Sequence, residues 1–78
     1  MKIMTCRQLG GACALEFSAE SFEEMAKLSQ QHGMEMQQAN DAAHLDAMST
    51  MRELMKSPRA IDAWFESRKQ EFNALPDR

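Results

Sequence analysis

The chain has 78 residues, of which 44% are hydrophobic and 27% charged, with three glycines and two prolines. That composition is too apolar for disorder and too poor in breakers for a loop-rich scaffold. A compact monomer of 8.9 kDa keeps about 4,800 Å² accessible and hides roughly 63% of the surface its unfolded chain exposes, which allows one core and a single domain over residues 1–78 and excludes a Rossmann unit or a barrel.

Nine basic against twelve acidic residues give a net charge of −3, so there is no electrostatic footprint for nucleic acid or for an anionic membrane. No run approaches the ~20 apolar residues of a membrane-spanning helix. Arg7 and Gln8 interrupt the amino end before an apolar signal segment can form. A cytoplasmic location is therefore expected, and a reducing cytosol would keep Cys6 and Cys13 as thiols.

From Cys13 the order Cys13, Ala14, Leu15, Glu16, Phe17, Ser18 alternates, which reads as a half-buried strand with Cys13, Leu15 and Phe17 inward. Ile3 to Arg7 precedes it, and Gly10-Gly11 between the two runs tolerates the positive φ of hairpin loops. The expectation is a β-hairpin over residues 2–18. With its loop centred between Leu9 and Gly10, Cys6 faces Cys13 and Met4 faces Leu15.

Ser21 followed by Glu24 forms a capping box that starts a helix over about 21–38. Phe22, Met25, Ala26, Ser29, His32 and Met36 share one arc of it, and Gly33 is carried as an interior glycine. Asn40 takes the left-handed closing conformation, and Asp41 caps a second helix over 42–56 with a stripe at His44, Ala47, Met48, Met51 and Met55. Ser57-Pro58 opens a third helix over 58–75, whose apolar arc is Ile61, Trp64, Phe65, Phe72 and Leu75, with Arg68 in its middle. The composite is an α+β domain, a β-hairpin packed on three α-helices in the order β-β-α-α-α.

The sharpest chemical constellation is Cys6, Cys13, His32 and His44. All four fall on inward faces of a domain that has room for one core, and thiolates and imidazoles are the ligands zinc prefers. Their spacing, six residues between the cysteines and eleven between the histidines, does not match the short pairs of zinc motifs. Free cysteine is also commonly buried as a small hydrophobe, so the plainer reading is a satisfied core. A reversible thiol pair is the third reading, since opposed strand positions bring Cα atoms within disulfide range.

Eight methionines are many for this length. They suit gap-filling in a small core and also adaptable binding surfaces. Trp64, Phe65 and Phe72 make a stripe larger than one hairpin and two helices cover, which implies a protein partner or a second copy along the third helix, with Arg68 snorkelling past the rings or meeting a carboxylate. No Gly-x-Ser-x-Gly elbow, phosphate loop or paired acid/base carboxylate is present. The residues thus point to a non-enzymatic interaction or regulatory protein, and the alternative is a metal or thiol-redox site built from Cys6, Cys13 and His32, with His44 as a fourth member.

The run Cys6-Arg7-Gln8-Leu9-Gly10-Gly11-Ala12-Cys13, followed by Glu16-Phe17 and the capped helix from Ser21, resembles the small bacterial family known as domain of unknown function 1059. The likeness runs from about Met1 to His32. It implies a short cysteine-bearing fold without an assigned activity. His32 stands where that family's first helix carries a histidine, whereas the His-Gly that many members carry five residues on is Gln37-Gln38 here. The third helix extends beyond the family's short form.

Overall fold

In the computed structural model, which describes residues 1–77, two antiparallel strands are followed by three helices. The strands are β1 (Lys2–Thr5) and β2 (Glu16–Ala19), and the helices are α1 (Phe22–Gln38), α2 (Ala42–Met55) and α3 (Pro58–Ala74). The expected β-β-α-α-α order holds.

The hairpin is shorter and differently registered than the alternation implies. Met4 pairs with Phe17 and Thr5 with Glu16, two residues off the expected register, so the parity of the inward face survives while the partners change. Cys6 already has helical φ and ψ and opens a 3-10 turn over Arg7–Leu9 that ends on Gly10 at φ 91°. That turn takes up the chain that a longer ladder would have used. Leu15 accordingly lies outside β2 and is 48% exposed, which corrects its inward assignment. Two backbone bonds continue past the strands, from Cys6 N–H to the Leu15 carbonyl and from Arg7 N–H to the Cys13 carbonyl. They hold the two cysteines at the mouth of the ribbon.

Each helix starts on a side-chain oxygen that satisfies a backbone donor left over by the first turn. Ser21 accepts from Glu24 N–H, Asp41 from His44 N–H and Ser57 from Ala60 N–H. The first cap is a variant of the expected box, because the Glu24 carboxylate accepts from Glu20 N–H instead of the cap residue's own. Gly33 is carried inside α1, and Asn40 adopts φ 56° between α1 and α2.

The core is small. Met4, Cys6, Leu9, Phe17, Ala19, Met25 and Phe72 are buried, with Met4 and Met25 almost fully enclosed. Phe72 packs edge-on against Phe22, which pins the end of α3 against the start of α1. Arg68 ties the middle of α3 to the turn: its Nη1 donates to the Gln8 carbonyl at 3.2 Å, and its guanidinium lies over the Trp64 ring.

Candidate metal centre

Four segments distant in sequence meet at one place. Cys6 comes from the end of β1, Cys13 from the irregular run before β2, His32 from the third turn of α1 and His44 from the first turn of α2. One ligand atom from each lies within 4.8 Å of all the others. Cys6 Sγ stands 3.6 Å from His44 Nε2, and Cys13 Sγ stands 3.3 Å from His32 Nε2. In a tetrahedral zinc site with bonds of about 2.3 Å to sulfur and 2.0–2.1 Å to nitrogen, neighbouring donors are about 3.3–3.8 Å apart. The two measured pairs already have about that spacing, and the remaining donors, within 4.8 Å of one another, need to close by about 1.5 Å at most.

The surroundings orient the donors. His44 is buried, and its Nδ1–H donates to Asp41 Oδ2 at 2.5 Å, which leaves the Nε2 lone pair directed at the sulfurs. A carboxylate that fixes a ligand imidazole in this way is the usual outer partner of a metal-bound histidine. His32 is held edge-on between the Phe17 ring and the His44 ring, with centroids 5.7 and 5.2 Å away. Gly11 lies so close to the Cys6 thiol that a Cβ there would overlap Sγ. Its N–H donates to the Cys6 carbonyl.

The electrostatics of the two thiols differ. The Leu15 backbone N–H, aided by the His32 and His44 imidazoles, brings the Cys13 thiol down to about 6, so it is largely thiolate at neutral pH. Burial pushes the Cys6 thiol up. The hydrogen bond that His44 donates to Asp41 raises His44, and the same bond lowers Asp41.

All four residues singled out in the sequence therefore meet. Two contributors were missed. Asp41 was assigned only as a helix cap, although a carboxylate at the cap and an imidazole three residues on are the signal that could have found the second contact. Gly11 was read only for loop flexibility. On α3, Phe72 is committed to the core and Arg68 to Gln8, while Trp64 is half-buried and Phe65 is 43% exposed. The open part of that stripe is therefore Trp64 and Phe65.

No family model, curated protein or solved structure matches the chain. Among the described residues no helix is long and apolar enough to cross a membrane.

Proposed function

We propose that the chain is a small metal-binding protein in which Cys6, Cys13, His32 and His44 hold one zinc-class cation. The observation that carries this reading is the convergence of two sulfurs and two imidazole nitrogens within 4.8 Å. A structural zinc site takes this donor set, and four protein ligands leave no open coordination position for a substrate. The role is therefore to bind the ion and to be ordered by it.

The size of the core supports the same reading. Seven buried apolar residues are few for an independently stable domain, and chains this short commonly rely on a disulfide or a metal as a staple. An ion at this position would fasten the cysteine loop to α1 and α2 at once. Its binding free energy would then act as folding free energy.

Metal analysis of protein purified without chelator tests the proposal. One equivalent of zinc is expected in the parent and a substoichiometric amount in Cys6→Ser and Cys13→Ser. Cobalt replacement should give thiolate charge-transfer absorption. A parent protein that takes up no metal when zinc is added to the reduced form would end the proposal.

A further inference from the structure

Cys6 and Cys13 are both free thiols, and the fold sets them at different depths. Cys6 is 3% exposed, whereas Cys13 is only partly buried. Their sulfurs lie within 4.8 Å of each other. The segments that carry them are opposed and hydrogen-bonded, at 2.8 Å from Cys6 N–H to the Leu15 carbonyl and at 2.9 Å from Arg7 N–H to the Cys13 carbonyl. These bonds hold the two backbones a ladder spacing apart, so bringing the sulfurs together takes side-chain rotation and little movement of the ribbon. Cys6 also lines a 270 Å³ cavity, which gives its side chain open space in which to change rotamer.

We propose that Cys6 and Cys13 form a reversible disulfide with a small hydroperoxide as oxidant, and that this bond and the cation of the cluster exclude each other, so that oxidation empties the site. The second half rests on the metal reading; the first stands without it.

Depth sets the order of events. An accessible cysteine beside a second, resolving cysteine is the arrangement of redox-sensing thiols. The Cys13 sulfur attacks the hydroperoxide: a sulfur–oxygen bond forms, the oxygen–oxygen bond breaks, and the thiol proton leaves with the alcohol or water released. The buried Cys6 sulfur then displaces the hydroxyl of the Cys13 sulfenic acid. A sulfur–sulfur bond forms, the sulfur–oxygen bond breaks, and the hydroxyl departs as water with the Cys6 proton. The two thiols give up two electrons and the hydroperoxide takes them. From the metal-bound form the two thiolates supply the same electrons, and two protons from solvent complete the products. Disulfide sulfurs carry no thiolate charge, so only His32 and His44 remain as donors, too few for a tetrahedral site.

Chelator-treated, reduced protein tests the first half. Hydrogen peroxide should lower the intact mass by two hydrogens, block both thiols to alkylation and leave a monomer on a non-reducing gel, and dithiothreitol should reverse all three. Dimedone should trap the Cys13 sulfenic acid in Cys6→Ser, with a yield at least about tenfold lower in the parent, where the neighbouring thiol acts at high effective concentration. The equilibrium constant for disulfide formation against glutathione should be at least about tenfold higher in buffer than in strong urea, because the fold presents the sulfurs together. Thiols indifferent to peroxide, a Cys13 that stops at sulfenic or sulfinic acid in the parent, a disulfide between chains, or a constant no higher in buffer than in urea overturns the proposal. On zinc-loaded protein, peroxide should release one zinc per disulfide, read with a chromophoric chelator, and reduction should restore uptake. A disulfide form that keeps its zinc, or zinc-loaded thiols that resist excess peroxide, overturns the mutual exclusion. A parent that forms the disulfide and never takes up zinc removes the metal reading and leaves the thiol pair standing.

Discussion

Asp41 holds His44 twice. One carboxylate oxygen accepts the His44 backbone N–H at 3.0 Å and its ring Nδ1–H at 2.5 Å, so the group that starts α2 also sets the orientation and tautomer of a cluster imidazole. Helix capping and site geometry are thereby one interaction.

Asp41→Asn separates the two roles, because asparagine caps a helix about as well as aspartate but lacks the charge that supports the ligand imidazole. Helicity should stay near the parent value. Zinc affinity, measured by competition with a chromophoric chelator, should fall about 10–100-fold.

The same pair predicts a pH window. Asp41 is lowered on folding, so its contribution is present above its ordinary 3.8 and is lost as pH falls through the folded value. His44 is raised, so its contribution is present below its ordinary 6.5 and is lost as pH rises through the folded value. The stability difference between metal-free parent and Asp41→Asn, from urea unfolding, should therefore be largest between pH 3.8 and 6.5. It should shrink on both sides.

Metal affinity runs the other way at the alkaline end. Zinc must displace the proton that burial keeps on Cys6 and the one that Asp41 favours on His44, and below about 6 also the one on Cys13. Affinity should rise with pH. Each displaced proton contributes about a factor of ten per pH unit, and isothermal titration in buffers of different ionisation enthalpy counts the protons released.

Gly11→Ala and Gly10→Ala should fail differently. At Gly11 the new methyl would meet the Cys6 sulfur and push a ligand out of place, so the cobalt thiolate band should weaken or vanish. At Gly10 the cost is the backbone at φ 91°, about 1–2 kcal/mol, with crowding against Trp64 and Met51. That variant should unfold at lower denaturant and still give the cobalt spectrum under native conditions.

Met25 is fully enclosed, and truncating a buried methionine to alanine costs about 2–5 kcal/mol. For a core this small, the metal-free Met25→Ala protein should be largely unfolded. Added zinc should recover its circular dichroism if metal and folding are coupled.

Local chemistry made much of the fold legible. Ser21, Asp41 and Ser57-Pro58 placed the three helix starts, and Asn40 placed the left-handed residue between α1 and α2, because capping and turn preferences act over three or four residues. The hairpin register was less legible. Alternation from Cys13 to Phe17 fitted a strand, but the 3-10 turn after Cys6 and the backbone bonds to the Cys13 and Leu15 carbonyls shortened the ladder. A pairing register depends on the loop's three-dimensional path, which alternation does not encode.

The candidate site divides along the same line. Helix periodicity determined the inward arcs of His32 and His44, whereas Cys6 and Cys13 lie outside both strands, on the 3-10 turn and the irregular run before β2, where strand alternation does not set a side chain's direction. The Asp41 contact to the His44 ring and the approach of Gly11 to the Cys6 sulfur are local, spanning three and five residues. Whether the four donors share a point was decided only by tertiary structure, because Cys6 and His44 are 38 residues apart and Cys13 and His32 are 19 apart, and their distances follow from how the helices pack on the hairpin, which no local preference fixes.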